Sequence, residues 1–229
     1  MKVSVILPAA GLGTRMGERK QFLLLDGAPI LIHTLRKFAS APLVSEIVVA
    51  VRRENRDAVA GMIAQLGTLD KPIRIVEGGE TRQRSVENAL GTLDPNVDLV
   101  AVHDAVRPFV SQEVIAKVIE EAAKTGAAIV GIVPVDTVKQ VHLHSIRATL
   151  PREKLVLAQT PQVFRRTLLQ QAYALAAKDG FTGTDEASLV ERLDTVEVSV
   201  VQGSDRNIKI TKPADLALAE LFLREERQA

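Results

Sequence analysis

The sequence predicts a three-layer α/β sandwich with a Rossmann-like, mostly parallel sheet, and three observations predict it. Short β-branched apolar runs alternate with longer amphipathic stretches along almost the whole chain. The runs are apolar throughout, without alternating polarity, as strands covered on both faces are. The first of them opens directly into a glycine-rich loop, "LPAAGLGTRMGERKQF" at residues 7–22, at the strand end where open α/β sheets bind ligands.

The strand runs are "VSVIL" (3–7), "EIVVAV" (46–51), "IRIV" (73–76), "DLVAV" (98–102), "AAIVGIV" (127–133) and "VEVSVV" (196–201). Helical periodicity falls near 30–39, 54–66, 81–93, 111–124, 165–177, 184–193 and 213–225. In "TDEASLVERL", Thr184 with Asp185 and Glu186 fits either an N-cap and first turn or a part in catalysis, and Pro213 is expected as a first-turn proline. One segment departs from this rhythm. Residues 136–157, "DTVKQVHLHSIRATLPREKLVL", alternate like a strand and show no helical period, which reads as a β-hairpin or arm projecting from the sheet. His142 and His144 fall on one side of a strand there, with no third metal ligand nearby in sequence. Residues 1–229 are thus expected to form a single domain carrying 136–157 as its arm.

Composition narrows the function. A chain of 229 residues suffices for one full α/β domain with a sizeable core. Lys and Arg total 29 against 28 for Asp and Glu, a formal charge of +1. Such a chain has no global field for gripping nucleic acid or an anionic membrane, so any anion site must be local. Aromatic content of 3%, with no Trp and one Tyr, leaves no stacking platform for single strands. The absence of cysteine excludes disulfides, thiol nucleophiles and zinc–thiolate sites. The apolar run at the N-terminus is too short for a signal segment or a membrane span, and a cytoplasmic protein is expected.

Gly11, Gly13 and Gly17 spell G-x-G-x-x-x-G. A dinucleotide fingerprint would put its third glycine where Met16 stands and start a helix within the loop, whereas "LLLDGAPI" intervenes. A P-loop would need Gly-Lys-Ser/Thr after four spacers, and that string is absent. The loop alone fits either a solvated surface turn or a polyphosphate cradle, in which glycines admit backbone N–H groups and Arg15 and Lys20 neutralise oxygens. Gly78, Gly79 and Glu80 in "EGGETRQRSV" fit a strand-end turn leading into a helix. Asp104 and Arg107 follow the strand at 98–102, as a capping pair or as site residues. Lys209 in "NIKIT", flanked by apolar residues of an expected strand, needs an anionic partner if it points inward.

The ordered set "PAAGLGTRMG" with "KQF", "EGGETRQRSV", "VHDAVRP", "PVDTVK", "TPQVF", "TDEASLVE" and "NIKIT" resembles the 2-C-methyl-D-erythritol 4-phosphate cytidylyltransferase family, from residue 3 to about residue 222. Single motifs are shared with nucleotidyltransferases at large, whereas the whole set is specific to this family. The resemblance implies that CTP and methylerythritol phosphate give a cytidine-diphospho alcohol and pyrophosphate, a step of non-mevalonate isoprenoid synthesis. It implies that Ala9, Ala10, Gly79, Glu80 and Ser85 surround the base, with Gly11 and Gly13 in the nucleotide loop; the family commonly carries Asp where Glu80 stands. By the same resemblance Asp104 and Arg107 lie near the methylerythritol substrate, Asp104 also beside ribose or metal, and Lys209 lies in the nucleotide and metal region. Thr137 and Arg152 match positions that bind the substrate's phosphate, followed by Thr160 and Gln162. Asp205 stands one place from an acid of some relatives, and neither it nor Asp185 is given a role.

The implied reaction explains why these residue types recur. A phosphate monoester, with a second pKa of ~6, is largely ionised at neutral pH and attacks without a general base. Catalysis then comes from positioning and from charge at the α-phosphate and the leaving pyrophosphate. Arg15 and Lys20 suit that role, with Mg²⁺ spanning the phosphates. An isolated hairpin is marginal in water, so Val138, Val141, Leu143 and Ile146 on the arm need a partner. Family members clasp such arms, so a homodimer is expected. Three other readings share parts of this pattern: a ribitol-phosphate cytidylyltransferase, an NADP reductase with Arg52 and Arg53 on the 2′-phosphate, and a non-catalytic nucleotide-binding regulator.

Overall fold

The computed structural model describes residues 1–11, 20–67 and 69–228. The strands are β1 (Val3–Pro8), β2 (Leu24–Leu25), β3 (Ala28–Pro29), β4 (Glu46–Val51), β5 (Ile73–Glu77), β6 (Leu99–Val102), β7 (Ala127–Ile132), β8 (Val138–His142), β9 (Ser145–Leu150), β10 (Leu157–Arg165) and β11 (Ser199–Gln202). The helices are α1 (Ile30–Ala39), α2 (Arg56–Ala64), α3 (Arg82–Leu90), α4 (Gln112–Thr125), α5 (Arg166–Asp179), α6 (Glu186–Val190) and α7 (Pro213–Gln228). Among the described residues seven strands join one sheet in the order β11-β7-β10-β6-β1-β4-β5. All pair in parallel except β10, which runs antiparallel to both β6 and β7.

Alternate residues of each strand feed two cores. Val5 and Leu7 of β1 pack with Leu35 and Phe38 of α1 and with Ile115 and Ile119 of α4 on one face. Ile6 faces the other way, toward Val86 of α3, Leu169 and Tyr173 of α5, and Leu189 of α6. Each such fully buried large side chain contributes about 1.5–3 kcal/mol. Side-chain caps set the helix starts: Thr81 accepts from Arg84 N–H at 3.1 Å and Ser111 from Val114 N–H at 3.2 Å. α4 ends at Gly126, whose φ of 96° is the left-handed conformation that glycine adopts without strain. α7 packs through Phe222 on Phe109 and shares a small core with Leu25 and Ile30.

The arm is a separate two-stranded hairpin, β8 against β9. Its turn, Leu143 and His144, has φ of 45° and 68°, so His144 lies in the turn, not on a strand beside His142. Leu157 already belongs to the main sheet, so the arm proper stops short of the expected boundary at 157. The strand expected at 196–201 begins at Ser199. β10 and the β2–β3 hairpin are additions to the sequence reading.

Candidate active site

The carboxyl ends of β1 and β6 lie side by side in the middle of the sheet. Beyond β1, Ala9, Ala10 and Gly11 are tied down by their carbonyls. The Gln21 amide donates to Ala9 O at 2.7 Å and to Gly11 O at 3.2 Å, and Arg52 Nε donates to Ala10 O at 3.0 Å. Arg52 therefore braces the loop, which is not the job a 2′-phosphate ligand would have. Beyond β5 the chain turns at Gly78 into α3, where Ser85 is buried. Its Oγ accepts from Gly79 N–H at 3.0 Å, and its own proton is taken by Thr81 O at 2.8 Å, with Gly79 O at 3.2 Å.

His103 and Asp104 follow β6. A polarised relay holds their turn: Asp104 N–H donates to Thr160 Oγ1 (3.1 Å), whose hydroxyl faces His103 Nδ1 (3.1 Å). His103 Nε2 donates to Arg107 O at 2.9 Å, which leaves Nδ1 as the acceptor. His103 is fully buried against Phe38, and that burial lowers its pKa to about 4. Asp104 is ringed by cations, with Arg82 Nε at 3.0 Å from Oδ1, and Lys209 Nζ at 2.8 Å and Arg107 Nε at 3.7 Å from Oδ2. Burial pushes its carboxyl up, but Arg82, Lys209 and Arg107 outweigh burial and hold it well below the usual carboxylate range. Burial in turn lowers the Arg107 pKa.

Two clefts meet at this cluster. The first is lined by Ala9, Ala10, Gly11, Lys20, Gln21 and Ser85, and the second by Arg107, Gln159, Thr160, Gln162, Thr184 and Asp185. Arg82, Asp104 and Lys209 line both. In the second cleft Arg107 Nη1 donates to Asn207 O at 2.6 Å, while its buried Nε has no hydrogen-bond partner among the described residues.

Most expected site residues converge here: Ala9, Ala10, Gly11, Lys20, Ser85, Asp104, Arg107, Thr160 and Lys209 line one cleft or the other. Gly79 and Glu80 line a neighbouring hollow beside Arg84 and Phe181. Thr137 and Arg152 lie on and beside the arm, and line neither cleft; Arg152 Nη1 donates to Val135 O. Gly13 and Arg15 fall outside the described residues. Lys209 finds its anion in Asp104, yet from an irregular segment and not from a strand. The cap of α6 is Asp185, not Thr184: its Oδ1 accepts from Ser188 N–H at 3.0 Å, and Gln162 bonds its Oδ2 at 2.7 Å. Asp205 is exposed in a turn. Sequence reasoning passed over Gln21 and Arg82, and placed Glu186 in the first turn of a helix. Arg82 did carry a signal, since a cation in the first turn of a helix opposes the dipole unless an anion holds it there.

The family profile described as "IspD: 2-C-methyl-D-erythritol 4-phosphate cytidylyltransferase" matches residues 3–225. The chain belongs to the 2-C-methyl-D-erythritol 4-phosphate cytidylyltransferase family. A family relative of that name from Solibacter usitatus is 62% identical, over 99% of this chain and 97% of its own length. The crystal structure of 4-diphosphocytidyl-2C-methyl-D-erythritol synthase from Anaerococcus prevotii superposes with a TM-score of 0.87 at 32% identity, covering 97% of this chain and 98% of that one. The cytidylyltransferase from Thermus thermophilus gives 0.79 at 36% identity, over 98% and 100%. This cytidylyltransferase is thus a nucleotidyltransferase of isoprenoid synthesis, and the reductase and ribitol readings receive no support.

Proposed function

We propose that the first cleft holds CTP, the second holds the methylerythritol phosphate, and the row Arg82, Asp104 and Lys209 marks where the acceptor phosphate meets the nucleotide's α-phosphate. The observation that carries this reading is that these three residues line both clefts. Lys20 and Lys209, with Arg15, set positive charge against the α-phosphate and the leaving pyrophosphate. The monoester attacks already ionised, so no base is required. Arg107, whose Nε is ion-paired with Asp104 at 3.7 Å but makes no hydrogen bond among the described residues, lines the acceptor cleft. Ser85 has spent its proton on backbone carbonyls, so its remaining capacity is to accept. That suits the amino group of cytosine and not the carbonyl of uracil.

A magnesium ion carried on the triphosphate fits the donor set. Among the described residues no cluster of three acids or histidines forms a cage, and Asp104 is the one carboxylate lining the first cleft. One carboxylate plus substrate phosphates is a common Mg²⁺ arrangement. When bound, the ion supplies divalent charge to the triphosphate. Thr137 and Arg152 serve the acceptor phosphate in a second copy's cleft, with the arms clasped. Exposure of Val141 (63%), Leu143 (80%) and Ile146 (65%) on the arm supports that reading. Pyrophosphate release measured across CTP, UTP, ATP and GTP, with methylerythritol phosphate and ribitol phosphate as acceptors, tests the whole scheme. Release is expected only with CTP, methylerythritol phosphate and Mg²⁺ together; faster turnover of ribitol phosphate overturns it.

A further inference from the structure

We infer that Glu186 is a positioning residue for the acceptor side of the reaction, fixing Arg82 and through it the orientation of Asp104, without touching either substrate. The inference rests on the reading of the two clefts given above.

Glu186 is buried, with relative exposure of 1%, and lines neither cleft. Its Oε1 accepts from Arg82 Nη1 at 2.8 Å and from the Tyr173 hydroxyl at 3.1 Å. Its Oε2 has no hydrogen-bond partner among the described residues. A buried carboxylate with one bare oxygen is costly, and an apolar side chain of similar volume would serve packing better. Of its two side-chain polar contacts, one holds Arg82 and the other, from Tyr173, holds the carboxylate in place. Burial, then the Glu186 charge, raises the Tyr173 pKa, so the phenol stays a donor.

The asymmetry at Asp104 gives this hold its consequence. The closest approaches of Lys209 and Arg107 are to Oδ2, whereas Arg82 Nε meets Oδ1. A guanidinium is planar, so fixing Nη1 on Glu186 fixes the direction in which Nε meets Asp104. Without Glu186 the Arg82 plane turns, and Asp104 loses the contact that sets its rotation. Ser85 and the Ala9–Gly11 loop bond to neither residue, so those contacts of the nucleotide cleft are held independently of Glu186, although Arg82 and Asp104 themselves line both clefts.

The test uses Glu186→Gln, Arg82→Gln and the double variant in the full-length protein. In Glu186→Gln, kcat/KM for methylerythritol phosphate is expected to fall about tenfold, the scale of a lost charge-assisted bond, with the calorimetric Kd for CTP within about twofold. Arg82→Gln strands a buried charge and can fail to fold. The double variant removes both charges, and its acceptor kinetics should be no worse than those of Arg82→Gln where that variant folds. ¹⁵N-arginine NMR gives a readout independent of turnover: the protected Arg82 Nε–H signal should be lost in Glu186→Gln. Unchanged acceptor kinetics, equal losses for CTP and acceptor, multiplying losses in the double variant, or a persisting Arg82 signal would each overturn the inference. Wild-type protein that fails to release pyrophosphate while the Arg82 signal behaves as expected would instead overturn the reading of the clefts.

Discussion

His103 titrates where it can be seen. An unfolded histidine has a pKa near ~6.5 and the folded one is lowered by burial to about 4. Between those values the unfolded chain binds a proton that the folded chain refuses, so stability is intact above about pH 6.5 and falls as pH drops toward 4. The loss attributable to this residue is about 3 kcal/mol. Urea unfolding at stepped pH should show His103→Gln losing less stability across that window than wild type; equal slopes would mean that His103 is charged in the fold. Ser85 offers a second residue-scale test. Ser85→Ala removes one acceptor for the base, worth about 0.5–1.5 kcal/mol, so the CTP-over-UTP preference should shrink about two- to thirteenfold in paired kcat/KM measurements. An unaltered ratio would place base selection elsewhere. That Lys209 would need an anion if it pointed inward was legible at this scale, because a lysine between apolar neighbours demands one, but that Asp104 is the anion was not. Glu186 was not, because its place in the first turn of a helix is explained equally well by the dipole.

At the scale of elements, Gly78 is a point of close approach between the end of β5, α3 and the loop after β1. A Cβ there would lie 2.6 Å from Ala10 Cβ and 3.0 Å from Ser85 Oγ. Gly78→Ala should therefore wedge apart two walls of the first cleft, destabilising by about 1–3 kcal/mol and weakening CTP binding. Denaturant melts with CTP titration check this; full CTP affinity in a destabilised variant would separate the packing from the site. Most elements were legible because their apolar runs have a clear period. β10 was not: Gln159, Thr160 and Pro161 interrupt it, and proline argues against a central strand. A register shift between Ala158 and Gln162 takes Pro161 out of the ladder and aims Thr160 at Asp104. The β2–β3 hairpin escaped notice because its strands are two residues long, although Asp26 and Gly27, with φ of 51° and 75°, form the kind of turn that Asp-Gly signals.

At the scale of the molecule, the proposed dimer makes each site a joint property of two chains. Arg152→Ala and Lys209→Ala chains are each expected to be nearly inactive. Mixed dimers should carry one site with both defects and one with neither, so an equal mixture with random exchange recovers about a quarter of wild-type activity. No recovery, with subunit exchange verified, would place Arg152 at its own chain's site. This level was least legible from sequence physics: alternation foretold the hairpin, but nothing in the spacing of Thr137 and Arg152 says whose cleft they serve.

The reversal of β10 has one further consequence. Because β10 returns antiparallel to β7, Ile132 stands opposite Leu157, and the chain leaves for the arm and comes back at adjacent points on the same rim. Neighbouring strands are about 4.8 Å apart, a gap that a two-residue turn closes. Residues 133–156 are thus an excisable module. A chain with them replaced by Asn-Gly should keep its sheet by circular dichroism, sediment as a monomer and still bind CTP, while losing its hold on the acceptor phosphate. The same junction is a graft point, where an arm from a relative could be installed to choose which copies pair.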